Sequence, residues 1–551
     1  MKVTWEIFEG IRPRLRPHLL SPQAAQIASN CNLWTGAIEP FKVPLQITPT
    51  TTTTFATAAT TLYRHGQSRT DENYWLTWGA NVDVVRGPNA DDSQERLYYT
   101  GDDTDVLSMP KVTSLTQAAT GTAVRPGSNY YALGVPTPAS LSASTGVGSG
   151  TPTRLLVASQ YVTGWGETGP LSDADEVDYY TGETLNVTLA SAPGGAIPYN
   201  ITKHRVYIGI SDASGVGAFR FWLEQDVADT SVSQTLDLTT LGEAAPNPSL
   251  EMPPSDLFGL GGHPGGFLWG FSGLNFCRSE AYKPYGWPTL YRDPLPDAPV
   301  GGKAMGSSVV VCTKGKTYLF TGSDPLNMIK TELEGWQPCV AKRSIAKVTA
   351  GVVYASPDGL VLVSGGGPVQ VVTADHFTRE QWQAYKPENS HAAVHDDRYF
   401  WWWLNDTTQG LLIFEFGANG IQTVVESDQY AVAAFADHRK DELYFLSVAT
   451  PRVLYKWDAG ATNMTTTWRS KLFYLDRPQN IGAARVEAAG YPVTFKLYAN
   501  GALVQTKTVA DDRPFTLKGQ NRYKDFWIEV SGTQRIDTVS VASSILDLRR
   551  G

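Results

Sequence analysis

Hydrophobic and polar residues alternate in short runs along most of this chain. Runs rich in Thr, Val, Tyr and Trp are separated by Gly, Pro and Asp. β-Branched and aromatic residues prefer strands, whereas Gly, Pro and Asp favour turns. Long runs with the three-to-four-residue spacing of an amphipathic helix are nearly absent. The pattern therefore predicts an all-β protein built from many short strands.

A strand, a tight polar turn and an aromatic-rich strand recur along the chain. The predicted turn centres are Arg69, Gly265, Lys314, Asp358, Asp397 and Arg439. From Gly265 onward, the differences between these positions are 49, 44, 39 and 42 residues. A four-stranded propeller blade takes about 40–45 residues, and a ring of blades protects the edges of its sheets. The hairpins therefore predict a β-propeller of about six blades.

Two regions have a different pattern and are expected to form separate β-domains. Residues 136–254 alternate through roughly seven strands, which predicts an immunoglobulin- or fibronectin-like β-sandwich inserted into a propeller loop. Residues 465–551 contain a hairpin signal at Asn500-Gly501 and predict a C-terminal β-sandwich cap. The propeller then consists of residues 51–135, with the first blade or blades, and residues 255–464, with the remaining blades.

Residues 1–50 are predicted to form a docking arm with a short helix. In IRPRLRPHLL, prolines exclude a helix and predict an extended chain that carries Arg12, Arg14 and Arg16. The following SPQAAQIASN predicts a short helix, with Ser21 as its N-cap and Pro22 at its first position. The arginines have two interpretations. They are a solvated surface, or they dock onto an acidic partner through charge-assisted hydrogen bonds.

Composition excludes several classes of protein. The net charge of -9, from 45 Lys and Arg against 54 Asp and Glu, argues against a dedicated nucleic-acid binder. No run of eighteen apolar residues occurs, and the first residues lack an apolar signal core, so neither a membrane span nor export is expected. The four cysteines, Cys31, Cys277, Cys312 and Cys339, lack metal-ligand spacing and predict free buried thiols.

A search for catalytic motifs predicts no enzyme, cofactor or metal site. The glycines of GWGETG are followed by Pro170, which forbids the helix that a dinucleotide site needs. No GxSxG nucleophile elbow is present. The adjacent Trp401, Trp402 and Trp403 could form a sugar-binding platform, but packing between blades is the commoner role for such residues.

Several motifs occur in a distinctive order along the chain. The opening is IRPRLRPHLLSPQAAQIASNCNLWTGAIEPFKVP, with Pro13, Gln26, Asn30, Cys31, Gly36 and Pro40 at its characteristic positions. This opening resembles the start of phage tail nozzle proteins, the tail tubular protein B family of short-tailed phages. Further similarity lies in VDVVRGPNADDSQERLYYTGDD, in GGHPGGFLWGFSGLNFCRSEAYKPYGWP and in RPQNIGAARVEAAGYPVTFKLYANG. The resemblance covers both ends and the middle of the chain, although the inserted sandwich departs from the simplest members.

The resemblance implies a structural subunit of a tail nozzle. Such a subunit forms a homohexameric ring below an adaptor ring, contacts tail fibres or spikes, and lets double-stranded DNA pass without sequence-specific binding. Its expected location is the tail of the virion, after assembly in the host cytoplasm. The docking candidates are then Arg12, Arg14, Arg16, Gln26 and Asn30. The alternative is a receptor-binding or glycan-degrading tail protein that uses the propeller and the three tryptophans.

Overall fold

A computed structural model shows an all-β protein, as the alternation of residues predicts. The structure describes residues 1–49, 55–66, 74–102, 108–118, 129–194, 197–212, 215–246, 250–417, 420–518 and 522–549. Helices within these ranges are short: α1 (Leu115–Ala118), α2 (Arg379–Gln383), α3 (Ile545–Arg549) and three 3-10 turns at Thr289–Tyr291, Lys342–Ser344 and Pro387–Asn389. None of the described helices is long and apolar enough to span a membrane.

The first strands of the chain pair with its last strands. They are β1 (Lys2–Trp5), β2 (Ala25–Ser29), β3 (Cys31–Asn32), β4 (Glu39–Pro40) and β5 (Leu45–Ile47). Only β3 and β4 pair with each other. The partners of the other three all lie beyond residue 420, as described below.

The next strands form a hairpin and a four-stranded antiparallel sheet. They are β6 (Thr61–Arg64), β7 (Trp75–Trp78), β8 (Asp83–Arg86), β9 (Leu97–Thr100), β10 (Lys111–Thr113) and β11 (Tyr131–Ala132). Strands β6 and β7 form the hairpin, and β8 to β11 form the sheet in chain order. The turn predicted at Arg69 lies outside the described residues.

Strands β12 to β19 build two sheets that face each other. They are β12 (Ser142–Thr145), β13 (Thr153–Thr163), β14 (Asp175–Tyr179), β15 (Thr184–Thr188), β16 (Ile201–Asp212), β17 (Gly215–Val216), β18 (Arg220–Asp226) and β19 (Ser231–Thr235). One sheet has the order β12-β15-β19, and the other joins β14, β13, β16, β17 and β18. Leu155 and Val206 of the larger sheet share a buried cluster with Leu185 and Val232 of the smaller one.

Three four-stranded antiparallel sheets follow, each in chain order. The first contains β20 (Phe258–Gly262), β21 (Leu268–Ser272), β22 (Asn275–Arg278) and β23 (Arg292–Pro294). The second contains β24 (Pro299–Met305), β25 (Ser308–Thr313), β26 (Tyr318–Thr321) and β27 (Ile329–Glu332). The third contains β28 (Ala346–Val348), β29 (Gly351–Ser356), β30 (Gly359–Val363) and β31 (Gln370–Val371).

Two further groups of four strands each involve the start of the chain. The first is β32 (His391–His395), β33 (Arg398–Leu404), β34 (Gln409–Gly417) and β35 (Gly420–Ser427), and β2 lies beside β35. The second is β36 (Ala433–Asp437), β37 (Glu442–Leu446) and β38 (Leu454–Lys456), completed by β5.

The last strands complete two sheets. They are β39 (Thr466–Ser470), β40 (Phe473–Gln479), β41 (Ala483–Ala488), β42 (Val493–Ala499), β43 (Ala502–Val509), β44 (Phe515–Thr516), β45 (Tyr523–Gly532) and β46 (Ile536–Ala542). A ten-stranded sheet runs β32-β33-β34-β35-β2-β39-β45-β42-β43, with β40 beside β45. A four-stranded sheet, β1-β46-β41-β44, packs in the same hydrophobic core.

The first strands of successive sheets lie side by side. The observed neighbours are β8 with β20, β20 with β24, β24 with β28, β28 with β32, β32 with β36, and β36 with β6. The backbone N–H of Val82, just before β8, donates to the hydroxyl of Thr61 in β6 at 3.1 Å. No individual sheet in the described residues closes on itself.

Five of the predicted hairpins are confirmed, but they do not occupy equivalent places. Gly265, Asp397 and Arg439 lie in turns between the first and second strands of their sheets. Lys314 and Asp358 lie in turns between the second and third strands. The even spacing in the sequence therefore mixes two kinds of hairpin. The Asn500-Gly501 turn is also confirmed, with φ of 49° and 79° at its two residues.

The predicted arm and helix are wrong in their local structure. The N–H of Leu15 donates to Arg12 at 3.1 Å and that of Leu19 donates to Arg16 at 2.8 Å, so the arginine-rich stretch is folded into turns. Ser21 accepts the N–H of Ala24 at 3.2 Å, as an N-cap would, but the chain then enters β2. Pairing with β39 satisfies this backbone, and tertiary contacts of this kind outweigh a weak helix propensity.

All four cysteines are free and buried, as predicted. Burial raises the pKa of Cys31 to about 12 and that of Cys277 to about 11, and a weaker opposing contribution comes from hydrogen bonding to Cys31 and from Arg292 near Cys277. The thiolate is the reactive form of cysteine, so these thiols act as small apolar core residues.

Candidate interaction surface

The amino-terminal segment, residues 1–47, is held on the body of the protein by strands and not by a flexible tether. Strand β2 lies between β35 and β39, antiparallel to β39 and parallel to β35. Strand β1 forms the edge of the four-stranded sheet beside β46. The segment therefore presents its exposed side chains from a fixed backbone.

A cluster of aromatic rings fixes the start of this segment. The ring of Trp468 in β39 lies edge-on to Phe8 at 4.9 Å and to Trp5 at 6.4 Å. Its indole N–H donates to the carbonyl of Glu9 at 3.1 Å, and the indole of Trp5 donates to Pro22 at 2.9 Å. Edge-to-face pairs of buried aromatic rings add to the energy of burial. These contacts hold residues 5–9 against β39.

A glycine allows the segment to approach β35. A Cβ atom added to Gly10 would lie 2.2 Å from the carbonyl oxygen of Val424, which no side chain can tolerate without backbone movement. The neighbouring Ile11 donates its N–H to the same carbonyl at 2.9 Å. We expect Gly10→Ala to destabilise the protein by about 1–3 kcal/mol, because the added methyl group overpacks this contact. Chemical denaturation should compare this variant with Gly366→Ala, where no atom lies within 4 Å of an added Cβ and φ is not positive.

Large apolar side chains are exposed on this segment more often than elsewhere. Six of the nineteen such side chains in the described residues lie in the first 45 residues, namely Ile7, Leu15, Leu19, Trp34, Val43 and Leu45. Clustered exposed apolar residues mark interaction surfaces, whereas isolated ones are ordinary. Two groups of them are connected through neighbouring residues, and we treat each group as a patch.

The first apolar patch consists of Ile7 and Trp34, which are 58% and 59% exposed. Ile7 packs against Gly36, in the turn where the N–H of Gly36 donates to Leu33 at 3.0 Å. The guanidinium of Arg398 lies 5.4 Å from the centre of the Trp34 ring. This cation–π contact orients the indole while leaving more than half of it in solvent.

The second apolar patch consists of Leu15, Leu19 and Tyr474, of which Leu19 and Tyr474 are 60% and 63% exposed. The N–H of Leu472 donates to the carbonyl of Pro17 at 3.0 Å, and the rings of His18 and Tyr474 are 5.4 Å apart. The turns of the arginine-rich stretch are thereby attached beside β40.

The three arginines of the segment all reach the surface. Arg14 lies 3.6 Å from Asp375 and also donates to the carbonyl of Ala374, and its backbone N–H donates to His376 at 2.7 Å. Arg12 lies 4.0 Å from Glu9. Arg16 is exposed and forms no ion pair within the described residues. Docking of Arg12, Arg14 and Arg16 onto an acidic partner stays a prediction.

Gln26 and Asn30 are used inside the chain. The amide of Gln26 donates to the carbonyl of Ser470 at 2.7 Å. The side-chain oxygen of buried Asn30 accepts from the hydroxyl of Ser427 at 2.9 Å, and Asn30 adopts a positive φ of 57°. Asparagine tolerates this conformation better than most residues. Both side chains support the attachment of β2. Docking of a partner onto Gln26 and Asn30 stays a prediction.

The three adjacent tryptophans pack within the protein. Trp401 stacks on Trp382 with ring centres 4.5 Å apart, and Trp402 stacks on His391 at 5.3 Å. The half-buried Trp403 meets the ring of Tyr385 edge-on at 4.7 Å. Trp401 and Trp402 are almost completely buried, which leaves no face of theirs for a sugar.

Comparison with known proteins identifies no family. No family model matches the chain, and no curated protein sequence matches it. Among solved structures, dihydro-heme d1 dehydrogenase NirN in complex with DHE aligns with 9% sequence identity and a TM-score of 0.24. The alignment covers 67% of this chain and 74% of that chain. PorZ, a surface component of the type-IX secretion system of Porphyromonas gingivalis, aligns at 10% identity, 84% and 82% coverage and a TM-score of 0.25. These TM-scores are too low to carry an argument.

Sequence reasoning missed the two apolar patches. A sequence signal for the first patch does exist. Trp34 stands directly before the polar, glycine-containing stretch TGAIEP, which is typical of a turn, and a buried ring is not expected there. The second is assembled from Leu15 and Leu19 and from Tyr474, more than 450 residues away along the chain. No local pattern could have brought those residues together.

His391 makes stability depend on pH. Burial, and secondarily the charge of Arg343, lowers the pKa of His391 well below its usual value near 6.5. Below pH 6.5 the unfolded chain takes up a proton here that the folded protein refuses, so stability decreases as the pH falls. We expect this residue to account for about 1.4 kcal/mol of the stability lost between pH 7.5 and 5.5. His391→Phe keeps a ring against Trp402 and should lose correspondingly less in urea denaturation at the two pH values. An equal loss in both proteins would contradict the assignment.

Proposed function

We propose that the small four-stranded sheets are blades of one β-propeller. Five such sheets are β8–β11, β20–β23, β24–β27, β28–β31, and β36–β38 with β5, and we propose β32–β35, the first four strands of the ten-stranded sheet, as a sixth blade. Their first strands are neighbours in the order given above, and the β6–β7 hairpin lies between β36 and β8. This arrangement supports a radial set of about six blades, with β6 and β7 at the place where the ring would close.

We also propose that the inserted region and the C-terminal region each form a β-sandwich. The facing sheets of β12 to β19 share one buried cluster, which favours an inserted sandwich of immunoglobulin or fibronectin type within 136–254. The strands from 465 onward form facing sheets as well, but β1 and β2 of the amino-terminal segment complete them. The C-terminal cap is therefore proposed as a sandwich to which residues 1–50 contribute strands.

We propose that the protein is a non-enzymatic structural subunit of a phage tail nozzle. The observation that carries this proposal is the pair of apolar patches on a segment fixed by strands at both ends. A subunit that closes laterally into a ring needs such a surface, rigid before assembly and apolar enough to be buried against a copy. The resemblance of the opening residues to tail tubular protein B supports the same proposal.

The partners follow from this proposal. The subunit would form a hexamer, bind an adaptor ring, carry tail fibres or spikes and line the path of the departing DNA in the virion tail. Six chains of net charge -9 would make a strongly negative assembly. Such a wall repels phosphates and so favours passage of DNA over binding.

The test is the oligomeric state of the purified protein. Mass photometry and negative-stain electron microscopy should show sixfold rings for the wild type. The double variant Ile7→Glu/Trp34→Glu should weaken association at least about thirtyfold, because it places two charges in the buried centre of an interface. Leu290→Glu/Trp336→Glu is the matched control, since these side chains are 75% and 63% exposed outside the segment. A wild type that stays monomeric, or equal effects of both double variants, would contradict the proposal.

The alternative of a receptor-binding or glycan-degrading tail protein rests on the three tryptophans. Their packing against Trp382, His391 and Tyr385 gives that alternative no support. Glycan-array binding by the isolated protein would nonetheless revive it.

A further inference from the structure

A cavity of about 900 Å³ lies between the first strands of the sheets. Residues of β6, β8, β24, β28, β32 and β36 line it, together with the turns that follow β32 and β36. We call it the central cavity. Its size is in the range of pockets that hold small molecules.

Three cationic side chains on three strands line this cavity: Arg86 at the end of β8, Lys303 in β24 and Lys347 in β28. None of them forms an ion pair with another described residue. The pKa of Lys303 is lowered by its enclosure, and the charge of Lys347 lowers it further while Asp83 acts in the opposite direction. The two lysines lie on the neighbouring strands β24 and β28 and repel each other, and a bound anion would relieve this repulsion.

Three of the carboxylates on the opposite side of the cavity already have a cationic partner. Asp437 pairs with Arg64 at 3.3 Å, Asp396 with Arg398 at 3.5 Å, and Glu442 with Lys456 at 2.6 Å. Asp397 accepts the N–H of Thr349 at 2.7 Å, and Asp441 lies 3.5 Å from His395. Arg439, which also lines the cavity, is 3.2 Å from Asp437. Asp397 and Asp441 keep their charge, because a backbone N–H is uncharged and burial lowers the pKa of His395. The cations Arg86, Lys303 and Lys347, on the side of β8, β24 and β28, outnumber these two carboxylates.

Two of the three cations also line a second cavity. An adjoining cavity of about 440 Å³ is lined by Arg86 and Lys303 and by Gly261, Gly262 and Gly302. A Cβ atom added to Gly261 or Gly302 would meet the ring of Trp269, so these glycines make room for that ring. A ligand in this space would meet both cationic side chains. Lys342 lines the same space but is paired with Asp83 at 2.6 Å.

We propose that the central cavity binds a small multivalent anion, of the chemical class of phosphate esters and polycarboxylates, held by Arg86, Lys303 and Lys347. The site is independent of ring formation, since all three residues belong to one chain. Arg86 offers a planar, bidentate donor and the lysines offer point charges, a combination that suits oxygen-rich anions.

The experiment is isothermal titration of the full-length protein with inorganic pyrophosphate and, separately, with citrate. The wild type should bind at least one of them with one-to-one stoichiometry, and a preference between them distinguishes a phosphate ligand from a carboxylate ligand. Lys303→Gln/Lys347→Gln should weaken binding at least about tenfold, because two charge-assisted contacts are lost. Lys507→Gln/Lys524→Gln removes the same charge from exposed lysines outside the cavity and should change the affinity less than twofold.

Three results would overturn the proposal. One is failure of the wild type to bind either anion at low ionic strength. Another is equal weakening by both double variants, which would indicate attraction to the net charge only. The third is an affinity equal to that of the wild type in both Lys303→Arg/Lys347→Gln and Lys303→Gln/Lys347→Gln. Near-ultraviolet circular dichroism checks that each of these variants is natively folded.

Discussion

Replacing Trp468 with alanine is expected to lower the free energy of unfolding by about 3–5 kcal/mol, the usual range for deleting a fully buried aromatic side chain. Trp468 is completely buried, and its ring contacts both Trp5 and Phe8. The variant also loses the hydrogen bond to Glu9 that holds the amino-terminal segment. The segment should therefore detach before the remainder of the protein unfolds.

Two measurements check this expectation. Guanidinium denaturation gives the change in stability, and limited proteolysis should cut the variant first between residues 10 and 24, in the turns that precede β2. Trp336→Ala is the control, because that side chain is 63% exposed and its removal should cost well below 1 kcal/mol. Equal stability losses in the two variants, or an amino-terminal segment that stays resistant in Trp468→Ala, would show that the aromatic cluster does not hold the segment.

Replacing Asp437 with alanine is expected to cost about 3–5 kcal/mol as well, because it breaks a buried ion pair and leaves a buried guanidinium behind. Asp437 at the end of β36 and Arg64 at the end of β6 are each 2% exposed at the side chain and 3.3 Å apart. Arg439 also reaches Asp437, at 3.2 Å. The pair links the first strands at the place where the proposed ring of blades closes, so its loss should affect β6 and β36 first.

The loss in free energy of unfolding caused by Asp437→Ala should depend on pH. Burial acts to raise the pKa of Asp437, but hydrogen bonds from Arg439 and the charges of Arg439 and Arg64 outweigh it and lower the pKa. A carboxylate with a lowered folded pKa stabilises the protein above its unfolded pKa of about 3.9 and ceases to do so as the pH falls through the folded value. The difference from wild type should thus be largest at neutral pH. Asp406→Ala, which removes an exposed ion pair with Lys386, should cost at most about 1 kcal/mol.

The local elements of this fold could be predicted well from the sequence, for a physical reason. Hairpins are encoded by neighbours, as at Asn500-Gly501, where both residues tolerate a positive φ and alternating strands flank them. The burial of the cysteines and the packing role of Trp401 and Trp402 also follow from residue type.

The long-range pairings could not be predicted in the same way. The stretch AAQIASN has alanines that suit a helix, and only the presence of β35 and β39 on either side makes it a strand. Gln26 and Asn30 were conspicuous in the sequence, but Ser470 and Ser427, their partners, are some 400 residues distant. The charges of the central cavity come from three separate sheets, so their convergence is a property of the topology alone.

The pairing of β1 with β46 has a consequence for how the molecule forms. The hydroxyls of Thr4 and Ser540 are 3.0 Å apart although 536 positions separate them in the chain. During synthesis, β2 and β5 have no partner strand until residues 420–470 have emerged from the ribosome, and β1 has none until residues 536–542 have emerged. Contacts of such long range slow folding and leave strand edges open to wrong partners in the interval. Chaperone dependence and sensitivity to amino-terminal fusions are therefore expected to accompany this architecture.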